Sequence, residues 1–146
     1  MTILVLVHAV ATLLMVGIIW FVQVVHYPLM KLAGAADFPA YEAAHARRTS
    51  YIVGPPMIGE AITAGLLVWQ PPSAEAAMLT RLGLALLVVI WTSTACLQVP
   101  CHRRLAAGFD ADEHRRLVAG NWIRTAAWTL RGGIAVWLVT SLGATG

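Results

Sequence analysis

The sequence predicts an all-α protein, an integral membrane four-helix bundle with short amphipathic helices in its two cytoplasmic loops. Two observations lead there. The 146 residues are 59% hydrophobic and 12% charged, with a mean hydropathy of +0.73, whereas soluble domains carry roughly a quarter charged residues. The apolar residues also gather in four long runs. One soluble core could not hide so much apolar surface, and a bilayer removes the need. The length suits a single domain, 1–146.

A spanning helix needs about 20 mostly apolar residues. The runs place spans at about 3–27, 52–70, 79–99 and 121–143. Thr2 to Val25 contains no charged residue. It lacks a basic leader and a small-residue cleavage site, so it reads as a retained span rather than a signal peptide. Ile52 to Trp69 has a single charge, Glu60, and Leu82 to Val99 has none. Trp122 to Leu142 carries Arg124 and Arg131.

The loops carry their own elements. Asp37 as N-cap with Pro39 in the first turn starts a short helix through Arg48. Pro55-Pro56 is expected to interrupt the chain early in span two. Gly108 breaks the later loop, and Asp110 caps a helix from Ala111 that runs into span four. Gly59, Gly65, Gly132 and Gly133 suit close helix contacts.

Charge sets the orientation. Lys31, Arg47 and Arg48 follow span one, and Arg103, Arg104, Arg115 and Arg116 follow span three. Positive loops stay inside. This predicts a plasma (inner) membrane protein with cytoplasmic long loops and extracytoplasmic termini. It also explains the pI of 9.3 without nucleic acid. The two cysteines, Cys96 and Cys101, make no disulfide framework. Cys96 reads as a small apolar residue, and Cys101, between Pro100 and His102, is also readable as a soft metal ligand.

Polar residues inside spans face other helices or a wet cavity. Thr12, Gln23 and His26 on span one follow helical spacing, as do Trp91, Thr94, Gln98 and His102 on span three and Asn121, Arg124, Trp128 and Arg131 on span four. Each stripe grows more polar toward the cytoplasmic end, which predicts a dry outer half and a polar inner pocket. Gln23, Trp91, Gln98, Asn121, Arg124 and Trp128 are the expected pocket residues. Glu60 and Arg131 each lie roughly 13 Å into spans of the same direction. They are expected to meet directly, or through water or a ligand, either as a structural ion pair or as catalytic groups.

Histidines and carboxylates concentrate on the cytoplasmic side. His26, Glu42, His45, His102 and His114 are the candidate metal ligands. Glu42-x-x-His45 places two ligands on one helical face, the unit that helical di-metal proteins carry twice. The second copy is imperfect, with Asp110 four residues before His114. Such ligands suit iron, copper, manganese or zinc, with haem behind these. Each histidine also has an ordinary reading: interfacial for His26, exposed on an amphipathic helix for His45 and His114, a helix-end cap for His102, and structural for His8.

The order of short motifs resembles the small four-helix membrane proteins of the anthrone-oxygenase-like family. These motifs are His26-Tyr-Pro-Leu-Met30, Phe38 through Glu42 to His45, Pro55-Pro-Met57, Gln98-Val-Pro-Cys-His-Arg-Arg-Leu105, and His114 through Asn121-Trp-Ile-Arg124-Thr. The chain departs from that family at Val99-Pro100, where Asn-Pro is usual. A more distant likeness is to the four-helix membrane protoporphyrinogen oxidases, with His8 as the matching histidine. Its flanks differ, so haem binding does not carry over. Both likenesses imply oxidation of a hydrophobic, often aromatic substrate within the membrane.

The leading expectation is therefore a metal-dependent oxidoreductase or oxygenase-like protein acting on a small hydrophobic or aromatic substrate delivered by membrane lipid. A carrier with a Glu60/Arg131 polar pocket and a non-enzymatic membrane subunit are the alternatives, and self-association is left open. No G-x-G-x-x-G or P-loop is present, and no serine sits in a nucleophile elbow.

Overall fold

The computed structural model describes residues 1–34 and 36–143. Among these there is no strand. The chain forms four long helices: α1 (Thr2–Met30), α2 (Phe38–Trp69), α3 (Ala74–Leu105) and α4 (Ala111–Gly143). The first three are long and apolar enough to cross a membrane. The fourth is as long but more polar, with Arg115, Arg116, Asn121, Arg124 and Arg131 along it. At 1.5 Å per residue, helices of this length run about 44–50 Å, well beyond a hydrocarbon layer of about 30 Å.

The helices pack as a ring. α1 lies against α2 and α4, and α3 lies against α2 and α4. Short turns make sequence neighbours antiparallel: Thr12 meets Glu60 while His26 meets His45. Three buried clusters fill the axis. Val5, Leu67, Ala76 and Leu138 close the end that carries both termini. Met15, Ile19, Ile90 and Trp128 occupy the middle. Tyr27, Met30, Phe38, Leu105 and Leu117 close the end that carries most of the arginines, the basic end.

The expected separate helix before span two is instead the start of a long helix, since residues 38–51 open α2, whereas the helix from Ala111 continues through α4 as expected. The predicted interruption at Pro55-Pro56 does not occur, since both prolines lie inside α2. Two missing N–H groups cost hydrogen bonds, but helices packed on neighbours absorb such losses. Asp37 sits at the N-cap of α2 with Pro39 in the first turn, yet its side chain makes no capping bond. Asp110 does cap α4, accepting from the Asp112 and Glu113 amides at 2.8 and 2.9 Å. Those two bonds hold its carboxyl below the usual carboxylate range. Gly108, at φ +155°, turns the chain into that cap in a region that disfavours side chains. Of the glycines expected at contacts, only Gly132 is tight: a Cβ there would lie 3.0 Å from Val16 Cγ2. Gly59, Gly65 and Gly133 face open space.

Two widened turns shape the basic end. Val22–His26 in α1 and Thr94–Gln98 in α3 are π-helical. In each, the residue before a proline donates back five positions: Tyr27 N–H to Val22 O, and Val99 N–H to Thr94 O. Pro28 and Pro100 have no N–H and clash with the preceding turn. One extra residue in that turn relieves both, and such π-bulges recur at functional sites.

Candidate functional site

At the basic end the four helices enclose a cavity of about 310 Å³. Every helix contributes polar side chains to its wall, among them Tyr27 from α1, Glu42 from α2, His102 from α3 and Arg124 from α4. Three form a chain. Glu42 Oε1 lies 2.5 Å from His102 Nδ1, and His102 Nε2 lies 3.0 Å from the Tyr27 hydroxyl. An ionised carboxylate only accepts, so Nδ1 carries a proton and donates it. In neutral His102 that leaves Nε2 to accept from the Tyr27 O–H. With an ionised acceptor the first bond is charge-assisted. Arg124 approaches the Tyr27 hydroxyl from α4, with its guanidinium 5.3 Å above the Trp128 ring.

Three residues of the cavity wall also carry buried side-chain atoms with no partner inside the protein. Glu42 Oε2, both amide atoms of Gln98, and Arg124 Nε are buried and unpaired. Glu42 is fully buried, Gln98 is 2% exposed and Arg124 is 8% exposed. Unpaired buried groups each cost about 1–3 kcal/mol, so these side chains add to the cost of building this end of the bundle. Gly120 leaves room for Gln98: a Cβ there would stand 3.2 Å from its Nε2. The rest of the lining is mainly apolar, from Met15, Ile18, Ile19 and Val53.

The histidines divide. His26 and His45 stack at 4.3 Å between ring centroids, and His45 lies 5.5 Å from His102. His45 Nδ1 is 3.1 Å from the Thr49 hydroxyl, and His26 Nε2 is buried without a partner. His114 is elsewhere: its Nε2 donates to the Tyr27 carbonyl at 2.8 Å, and Asp110, its expected partner, caps α4 instead. Among the described residues no three His, Cys, Asp or Glu side chains are grouped to hold a metal ion. Cys101 is buried in the basic-end cluster beside Leu105 and Leu117.

Glu60 and Arg131 do pair, at 2.9 Å, but neither lines the cavity. Glu60 also accepts from Thr12 at 2.8 Å and from Trp128 Nε1 at 3.0 Å, while Arg131 also donates to the Gly83 carbonyl. All four helices meet in this network, and the space beside Arg131 is about 10 Å³, which is at most one water. The expected dry outer half is not dry. Beyond Glu60, His8 Nδ1 bonds the Thr63 hydroxyl at 2.8 Å, and Thr80 is buried.

Of the expected pocket residues, Gln98 and Arg124 line the cavity. Asn121 instead donates to Gln23 Oε1 at 2.8 Å, clamping α4 to α1. Trp128 belongs to the Glu60 network, and Trp91 is on the outer surface at 43% exposure. Tyr27 is the site residue that sequence reasoning missed. Its signal was its place between His26, a candidate ligand, and Pro28. No protein-family model, curated protein or solved structure matches this chain.

Proposed function

We propose that the chain is a four-helix integral membrane enzyme of the oxidoreductase or oxygenase kind, whose basic-end cavity removes a proton from a small hydrophobic carbonyl or phenol compound. The loops of the basic end face the cytoplasm in this reading, and both termini face outward. The observation that carries it is the Glu42–His102–Tyr27 chain, ending beside Arg124 in a mainly apolar cavity with unpaired polar atoms.

The chemistry derives from the roles available. Glu42 fixes the His102 tautomer and stabilises its charged form, as a carboxylate does for a general base. His102 accepts the Tyr27 proton, and Tyr27 Oη accepts the substrate proton in its place. One proton leaves the substrate and one arrives on His102, so the new negative charge rests on the substrate. Arg124 and the Gln98 amide, both in the cavity wall, would hold that oxyanion in a low-dielectric site. A deprotonated aromatic is the electron-rich form that an oxygenase-type reaction consumes. The motif-order resemblance to the anthrone-oxygenase-like family agrees with this substrate class.

The test is deuterium exchange into 2-tetralone, a small apolar ketone with acidic C–H bonds, by the protein in phosphatidylcholine vesicles in D2O. The expected result is exchange faster than lipid alone gives. It should fall about 10²-fold or more in His102→Gln and in Tyr27→Phe, the usual range for lost acid–base catalysis. Exchange equal to empty vesicles would reject the reading.

A metal-dependent form of the same reading rests on one observation, the His26–His45 stack with His102 and the free Glu42 oxygen nearby. Iron, copper, manganese or zinc would require these side chains to rotate toward a common point. Elemental analysis of the purified protein beside His45→Ala separates the two: stoichiometric metal lost in that variant favours the metal, and exchange activity without metal favours acid–base chemistry alone.

A further inference from the structure

A second concavity lies outside the cavity wall. It is a groove of about 580 Å³ between α1 and α2. Its floor and sides are Leu13, Leu14, Gly17, Phe21 and Ile52, with Arg48 at its basic end. Leu13, Leu14, Phe21 and Ile52 are all exposed, on two helices apolar enough to cross a membrane. The groove and the cavity share five lining residues: Ile18, Val22, His45, Thr49 and Val53. The partition between them is thus one side chain thick. Its polar part is His45, fastened to Thr49 one turn on and stacked on His26, which also lines the groove.

We propose that this groove is the entrance by which a flat apolar molecule dissolved in the hydrocarbon layer reaches the cavity, with His45 as the gate; this rests on the cavity being the site proposed above. Three features point to the lipid as the source. The groove surface is apolar apart from His26, His45, Thr49 and Arg48. It opens sideways from two spanning helices rather than at a helix end. The basic Arg48 marks its limit, where a polar substituent would come to rest at the interface. The cavity's other side lies between α2 and α3, at Ala46, Ser50, Arg103 and Ala106. That side is the rival route, and its arginine and serine suit water.

Gly17 makes the two routes separable. A Cβ at Gly17 meets nothing within 4 Å, and Gly17 lines the groove but not the cavity, so a large side chain starting there would occupy the groove. Thr94 lines the cavity from α3 and is not part of the groove. The experiment uses the full chain with Thr94→Cys in a Cys96→Ala, Cys101→Ala background, in phosphatidylcholine vesicles. The rate of modification by N-phenylmaleimide, which partitions into lipid, is compared with that by a cationic water-soluble methanethiosulfonate. Gly17→Phe, or Gly17→Leu should the first not fold, is expected to slow the maleimide at least 10-fold and leave the cationic reagent unchanged. Val88→Phe, an exposed α3 position outside the groove, should slow neither, and His45→Ala should speed the maleimide. An unchanged maleimide rate in the plugged variant overturns the proposal, as does equal slowing of both reagents or no modification at Thr94→Cys. These rates do not depend on any reaction of the protein, so they separate from failure of 2-tetralone exchange.

Discussion

Glu60 shows how a single buried charge can be a strut rather than a tool. Its two oxygens receive Thr12, Trp128 and Arg131, so no acceptor capacity faces open space. A buried ion pair gives little net stability when compared with a well-packed apolar pair, but loss of one partner strands the other. Glu60→Ala leaves Arg131, 2% exposed, without its counter-charge. The expected loss is about 3–5 kcal/mol, and Glu60→Met with Arg131→Met should recover most of it. Denaturant unfolding in detergent micelles measures both, and equal stability of Glu60→Ala and the parent would contradict the strut role. The network also reaches the site. Trp128 donates to Glu60 on one edge and carries Arg124 over its ring face, so the strut helps to position the cation proposed to hold the substrate anion. The pairing was legible because the two residues lie at equal depth on spans of equal direction. Its role was not, because sequence shows which charges are buried but not how many partners each will find.

At the scale of the element, the two π turns explain both what sequence periodicity found and what it missed. Helical spacing placed Trp91, Thr94, Gln98 and His102 on one face of α3. The π turn Thr94–Gln98 adds a residue, which shifts the phase by about 100° between the helix before it and the helix after it. Trp91 precedes the turn and is exposed, whereas Gln98 and His102 reach the cavity. The corresponding turn in α1 ends at His26, next to Tyr27. Prolines 28 and 100 are the cause that sequence displays, and the wider turn is the consequence that a fixed 3.6-residue period cannot express. Pro100→Ala restores an amide donor and relieves the ring clash, so α3 can return to regular α-helix. Its thermal stability should hold or rise, since an interior proline costs a helix about 3 kcal/mol. Its 2-tetralone exchange should fall, because Gln98 and His102 rotate relative to the upper half of α3. Stability and activity falling together would show instead that the π turn is needed for folding and does not separately aim the site.

Over the whole molecule, the four helices carry two polar layers at different depths, and only one of them encloses space. The inner network of Thr12, Glu60, Trp128 and Arg131 closes on a space of about 10 Å³, whereas the basic-end layer of Tyr27, Glu42, Gln98 and Arg124 borders a cavity of about 310 Å³. The basic end also concentrates Lys31, Arg47, Arg48, Arg103, Arg104, Arg115 and Arg116. Glu113 offsets part of that charge, bonding Arg104 and Arg116, and these partners hold its carboxyl below the usual range. In the proposed topology the remaining excess sets the orientation, because arginines near the ends of spans resist translocation. α4 is the stringent case, since Arg124 and Arg131 make it the least apolar helix. In the proposed topology it enters a bilayer as a span because Glu60 of α2 and the Gly83 carbonyl of α3 meet Arg131, partners that an isolated α4 would lack. The proposed topology therefore predicts that alkaline phosphatase fused after Gly143 is active in a bacterial host, and that a fluorescent protein fused there is dark. With Glu60→Leu, Arg131 loses its partner during insertion, and a fraction of chains should leave α4 inside, lowering phosphatase activity and raising fluorescence. A fluorescent C-terminal fusion in the parent would place α4 on the cytoplasmic surface. The bundle would then have three spans, and the cavity would lie at the membrane interface.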